Sequence, residues 1–300
     1  MKKHFFPPIV EVVFAALIWG TSGVFVKYFR LPPTIISFYR MAIPTVILVI
    51  YFIIKKNSIF KKDNKIILIA SLLTTLRMFL YFVAYTFTSI GNAVIILYTW
   101  PIFVTLYSII FFKEKLTIKT SLALLFAFTG IILIYLNKEF SFQSNDFIGM
   151  TAMMGSSAIY ALSMIIFKSV SHKYERLEIT FFQNVMGAII FLPFLFFVRP
   201  LPEIEQYPLI IFYSVLIGVV AFTLFFSALK KIKASLASNL AYLEILSAIF
   251  FGILLFNEKL TWNMVTGGLI IISSVFILRS EVKEEPLAES EQADKNEKRK

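Results

Sequence analysis

The 300-residue chain contains no cysteine, which excludes disulfides, thiolate metal centres and cysteine nucleophiles. Its two histidines, His4 and His172, stand far apart and outside the apolar stretches. A histidine-based zinc site or proton relay is therefore not expected. Charge is scarce too, at 16% of residues, against about 25% in an ordinary soluble domain. No phosphate-binding glycine loop, HExxH pair or ATP-binding region is present, and no cofactor is expected. The chain is instead rich in apolar side chains, 58% of the total with 34 phenylalanines. A soluble protein of this length would lack the polar surface to cover such an interior. The charges fall in short islands between apolar runs, the pattern a bilayer imposes.

The net charge of +11 would fit a nucleic-acid partner in a soluble protein. Here the lysines sit in short connectors beside apolar segments, where they set topology. No nucleic acid is expected. The start of the chain, MKKHFFPPIVEVVFAALIWGTSG, has the basic and apolar regions of a secretory signal. The apolar run continues to Phe29 without a cleavage pattern, so it reads as an uncleaved first helix.

A hydrocarbon core about 30 Å thick needs about 20 apolar residues in a helix. Ten such spans are expected, at 9–26, 34–54, 66–87, 92–112, 120–136, 147–167, 178–198, 208–229, 235–256 and 262–279. The fold class is all-α integral membrane. Residues 281–300 carry mixed charge and read as a disordered cytoplasmic tail. With the N-terminus inside, inner segments hold 22 Lys and Arg and outer connectors 5, Arg40 and Arg77 lying within spans. That bias places both ends in the cytoplasm, in a cell (inner) membrane.

The chain repeats itself. AVIILYTWPIFVTLYSIIFFKEKLT (93–117) aligns without gaps with ASNLAYLEILSAIFFGILLFNEKLT (237–261), 144 residues later. Upstream, Ala16, Trp19, Gly20, Ser22 and Lys27 align with Ser157, Tyr160, Ala161, Ser163 and Lys168 at an offset of 141. The halves are expected at 1–138 and 139–280. Because five spans is an odd number, the second half must enter the membrane from the opposite side. Inverted repeats of this kind are the architecture of secondary transporters.

These residues carry a family resemblance. Trp19-Gly20, FYRMAIP (38–44) with Arg40, YTFTSIGNAVIILYTWP (85–101), both EKLT tetrapeptides and LEI (243–245) resemble the ten-helix EamA-type branch of the drug/metabolite transporter superfamily. The resemblance implies two five-helix EamA repeats, a central substrate cavity and alternating access. It implies a secondary transporter of small metabolites, an exporter of amino acids or related compounds, rather than an enzyme. An importer or exchanger of another metabolite, nucleotide-linked or drug-like, is the alternative. A membrane-embedded enzyme would need clustered acids or histidines at a helix end, which are lacking here. A non-transporting membrane interaction protein would leave the midplane charges without a purpose. One difference between the halves matters: Trp100-Pro101 in the first stands where Glu244-Ile245 stands in the second.

A charged side chain at bilayer depth costs about 2.5–3.5 kcal/mol on insertion scales, so each marks a candidate site. Arg77 lies mid-way along the third span and Glu244 mid-way along the ninth. Arg77 would hold a carboxylate or phosphate, and Glu244 an amine or proton; mutual pairing is the structural alternative. Arg40, nearer the outer end of its span, belongs either to the cavity mouth or to the interface. Trp19 and Tyr160 are repeat-related aromatics, each beside small residues four apart that permit close helix contact. Tyr81, Tyr98 and Tyr242 are further cavity candidates, since a Tyr hydroxyl in lipid needs a partner. Gln183, Asn184 and Asn239 are lesser ones, and Glu11 reads as interfacial. Pro101, mid-span, is the hinge candidate. No metal site is expected. Expected partners are a small-molecule substrate, the lipid bilayer and a coupling proton, with a homodimer compatible with the sequence.

Overall fold

The computed structural model describes residues 7–56, 64–136, 144–256 and 259–279. The tail 281–300, His4 and Glu258 of the second EKLT lie outside them. Among the described residues, all regular structure is helical. Nine helical segments among the described residues are long and apolar enough to cross a membrane, and Trp262–Leu278 is a shorter apolar helix. The expectation of ten full-length spans is therefore met by nine and a shorter tenth.

Five spans are interrupted. The first runs as α1 (Pro8–Gly20) and α2 (Ser22–Phe29). It turns at Thr21, whose hydroxyl donates to the Ile18 carbonyl at 2.6 Å. The second and third are continuous, α3 (Pro33–Lys55) and α4 (Lys65–Phe87). The fourth is split into α5 (Ile90–Leu97) and α6 (Trp100–Phe112), followed by α7 (Ile118–Tyr135) and the long α8 (Ser144–Val170). The seventh is α9 (Arg176–Phe191) with a last turn, α10 (Phe194–Phe197), after Pro193. The eighth joins α11 (Tyr207–Val215) to α12 (Phe222–Leu229) through a π-helical turn, Leu216–Ala221. The ninth is split into α13 (Ala234–Leu240) and α14 (Leu243–Phe256), and α15 (Trp262–Arg279) ends the described chain.

The break in the fourth span follows from one residue. Pro101 has no N–H, so the Leu97 carbonyl four residues earlier loses its helical donor. The Ser157 hydroxyl lies 3.0 Å from that carbonyl and 3.0 Å from the Ile96 carbonyl. The ninth span breaks at the matching place although Ile245 replaces the proline. There the Ile245 N–H turns to the Tyr242 carbonyl at 3.1 Å, three residues back.

Contacts at the span ends sort into two sets. Near the N-terminal end of α1, Glu11 meets Lys231 at 2.9 Å, Tyr174 donates to Asn64 at 2.7 Å, and Lys168 donates to the Ile232 carbonyl at 2.7 Å. At the far end, Thr88 donates to Asp146 at 3.0 Å, Gln206 reaches the Phe29 carbonyl at 3.4 Å, and the Tyr39 and Tyr207 hydroxyls are 3.3 Å apart. Repeat-related side chains also meet in matching pairs. Lys168 lies over the Phe112 ring at 5.6 Å, and Lys27 over the Phe256 ring at 4.1 Å. Large apolar side chains such as Ile54, Ile110, Leu125 and Phe276 face outward, as a lipid-facing surface requires.

α7 and α15 pack closely through facing glycines. A Cβ on Gly130 would sit 2.6 Å from the Gly267 carbonyl and 2.8 Å from the Ile271 side chain. A Cβ on Gly267 would meet the Gly130 carbonyl and Ile134 in return. Neither backbone can yield cheaply, so Gly130→Ala is expected to destabilise the protein by about 1–3 kcal/mol. Thermal unfolding in detergent measures it, and an unchanged midpoint would show the interface to be loose.

Candidate functional site

A cavity of about 660 Å³ opens between the helices, a size suited to a small organic molecule. Its floor is built where the broken helices meet. Trp19 comes from the end of α1, Tyr98 from the α5–α6 break, Trp100 from the first turn of α6, and Glu244 from the first turn of α14. Tyr160 of α8 closes the floor. The walls rise to Val26, Pro33, Thr34 and Thr86, all toward the far end. No residue of the N-terminal-end contact set lines it. The cavity thus extends to one end of the bundle.

Three charged side chains face this space: Arg40, Arg77 and Glu244. Arg77 is held by ring faces. Its guanidinium lies 4.1 Å from the Tyr160 ring centroid and 6.0 Å from that of Tyr81. Such stacking favours a cation without neutralising it. The Arg77 Nε is buried with no hydrogen-bond partner among the described residues, while its carbonyl is fixed by the Ser156 hydroxyl at 2.8 Å. Among the described residues, Arg40 finds only the Met78 sulfur, 3.9 Å from its Nη2, and a thioether is a weak acceptor. Glu244 is the second residue of α14, in the first turn of a half-helix whose N-terminus favours negative charge. None of the three forms an ion pair with another described residue.

Aromatic rings fill much of the remaining wall. Trp19 packs on Phe222 and Phe225 with centroids 5.1 and 5.0 Å away, and its buried Nε1 has no acceptor. Trp100 meets Tyr160 edge-on at 5.1 Å. The π-helical turn carries Ile217 into the lining and is followed by Phe222. Asn184 supports that turn, its amide donating to the Gly218 carbonyl at 3.2 Å and the Thr180 carbonyl at 2.7 Å. π-turns are uncommon and recur at functional sites.

Arg77, Glu244, Arg40, Trp19, Tyr160, Tyr81 and Tyr98 all line the cavity. Tyr242 does not. It is 1% exposed, and its hydroxyl donates to the carbonyl of its repeat mate Tyr98 at 2.9 Å, so the ring fastens one break to the other. Pro101 sits as the second residue of α6, directly after the break. Glu11 is buried and paired with Lys231. Trp100, Tyr85, Tyr213, Phe222 and Met78 also line the cavity, and none of them is a cavity candidate from sequence. Two of them had a readable signal. Trp100 is the repeat mate of Glu244, and Tyr85 lies one helical turn beyond Tyr81 on the same face.

The EamA-like transporter family model matches this chain twice, over residues 7–136 and 147–280. Among similar proteins, the uncharacterized transporter YoaV of Bacillus subtilis is 26% identical, covering 90% of this chain and 95% of its own length. An uncharacterized transporter of Archaeoglobus fulgidus is 25% identical, covering 87% and 93%. Solute carrier family 35 member G1 of Mus musculus is 24% identical, covering 87% and 75%. One crystal structure superposes with a TM-score of 0.80 over 91% of this chain and 96% of the other, at 14% identity. That likeness is one of fold.

Proposed function

This chain belongs to the EamA-like transporter family, and from that premise we propose that it exports amino acids or related compounds by alternating access. It is a multi-pass membrane protein, and its family and the names of its relatives point to a transporter rather than an enzyme. In our reading the ten spans form two inverted five-helix repeats, 1–138 and 139–280, with both ends in the cytoplasm. The two separate family matches and the matching Lys–Phe pairs across the halves support that arrangement. The single observation that carries the function is the set of charges in the cavity. Two arginines and one carboxylate face it without ion-pair partners among the described residues, at a depth where unpaired charge is costly. A substrate bearing a carboxylate meets Arg77 and Arg40, and its ammonium group, or a coupling proton, meets Glu244. The aromatic walls hold the remainder of the molecule.

Transport in proteoliposomes across a pH series tests the coupling role. Glu244→Gln keeps the shape of the side chain and removes its proton exchange. The variant is expected to flatten the pH dependence of transport; an unchanged profile would remove Glu244 from coupling. Substrate class is read separately, by thermal stabilisation of the purified protein across a panel of amino acids and other metabolites. Importers and exchangers of other metabolites are the second outcome of that panel, distinguished by which compounds stabilise the protein and in which direction they move.

A further inference from the structure

The EKLT motif of the first half has a part in the structure that the cavity does not absorb. Glu114 is buried at the end bearing the N-terminus, its side chain 7% exposed. Its carboxylate accepts from the Ala234 backbone N–H at 3.1 Å and the Ser235 hydroxyl at 2.8 Å. Lys168 Nζ lies 3.7 Å away. One first-half acid thus caps the second half's α13 and touches its α8. Glu11 makes a second bridge of the same kind. It accepts from Lys231 at 2.9 and 3.0 Å and from the Ser227 hydroxyl at 3.0 Å, and Arg176 stands 3.5 Å from that hydroxyl. Both acids belong to the first half of the sequence, and their partners all belong to the second.

We infer that Glu11–Lys231 and Glu114–Lys168, with the α13 N-terminus, form a two-part latch that keeps the cavity shut on the N-terminal side. Glu11 lies eight residues before the cavity-lining Trp19, roughly 12 Å of helix. Phe225 packs on Trp19, and Phe226 packs on Phe167 at 5.2 Å. An aromatic layer therefore separates the latch from the cavity floor. The halves cannot part at this end while both acids hold their partners. Opening exposes the buried groups of both pairs to water, and until water reaches them each is an uncompensated buried charge. The latch thereby biases the resting protein toward the far-side-open arrangement, and its rupture is the step that opens the N-terminal side. The inference rests on the alternating-access reading and needs no knowledge of the substrate.

The absence of cysteine supplies a silent background for the test. Ser37 lines the cavity, and a Ser37→Cys reporter is labelled with a membrane-impermeant maleimide from either face of oriented vesicles. With the latch intact, labelling is expected from the far side. Glu11→Gln or Glu114→Gln is expected to raise labelling from the N-terminal side about tenfold and to lower it from the far side. The exchange Glu11→Lys with Lys231→Glu is expected to return both rates to the parent values. Unchanged labelling in well-folded single variants overturns the latch, as does failure of the exchange to restore the parent pattern. If a single variant does not fold, the exchange decides alone: parent-like labelling supports the pair, and any other pattern overturns it. Latch-dependent labelling in a protein that moves no tested metabolite would leave the latch standing and sink the substrate reading alone.

Discussion

Arg77→Ala is expected to lower transport by about two to three orders of magnitude while leaving the protein as stable as its parent, or more so. Truncating one partner of a buried, hydrogen-bonded charge pair costs about 2–5 kcal/mol, because the other charge is left unpaired. Under the proposed function, that partner in the transporting state is the substrate's anionic group. Without substrate, the guanidinium has no ion pair and its Nε no acceptor among the described residues, so the empty protein gains little from it. Function and stability should therefore move in opposite directions. Arg77→Lys keeps the charge and loses the flat group stacked at 4.1 Å over Tyr160; a loss of about tenfold is expected. Initial rates in proteoliposomes and thermal unfolding of the same preparations measure both effects. A folded Arg77→Ala protein with parental rates would remove Arg77 from the site, and a strong loss of stability would make its role structural.

Gly20→Val is expected to abolish transport and destabilise the protein, while Gly23→Ala, three residues along, is expected to do neither. A Cβ on Gly20 would lie 2.5 Å from the Glu244 carbonyl and 2.5 Å from the Ser247 Cβ. The clash is with backbone at the first turn of α14, so relieving it means moving Glu244 itself. Overpacking of this kind costs about 1–3 kcal/mol or more, and here the displacement falls on the candidate site. Around Gly23 a Cβ would meet nothing within 4 Å. Alanine there adds helix propensity, about 0.8–1.0 kcal/mol relative to glycine. Unfolding midpoints and transport rates of the pair should diverge. Equal tolerance at both positions would mean that α1 and α14 are not packed as closely as the structure has them.

How far these features could be read from sequence depends on the physics behind each. Charges in apolar runs cannot be disguised, so Arg77, Arg40 and Glu244 were legible, and all three face the cavity. The aromatics were harder. Among 13 tyrosines and 34 phenylalanines, composition does not separate Tyr98, which lines the cavity, from its mate Tyr242, which is packed against it. That difference is set by which half contributes the hydroxyl and which the carbonyl, a tertiary fact. The break after Leu97 was partly legible through Pro101, whereas the one at Ala241–Tyr242 has no proline beside it. The turn at Thr21 lies in Gly20-Thr21-Ser22-Gly23, a loop-like cluster hidden within a long apolar run. Nothing in LIGVVA announces a π-turn, which depends on Asn184 from another helix to satisfy the Gly218 carbonyl.

Among the described residues, the hydroxyls that bind backbone carbonyls across the two halves all point one way. Ser156, Ser157, Tyr242 and Ser247, from the second half, donate to carbonyls of Arg77, Ile96, Leu97, Tyr98 and Leu17, in the first. A backbone carbonyl stripped of its donor in hydrocarbon costs several kcal/mol. Any sliding of one half past the other along this seam must therefore bring a replacement donor to each carbonyl it uncovers, and between moving helices the donor at hand is water. In the proposed alternating-access cycle the seam is a track for hydration, and the ease with which water enters it limits how fast the cavity can change sides.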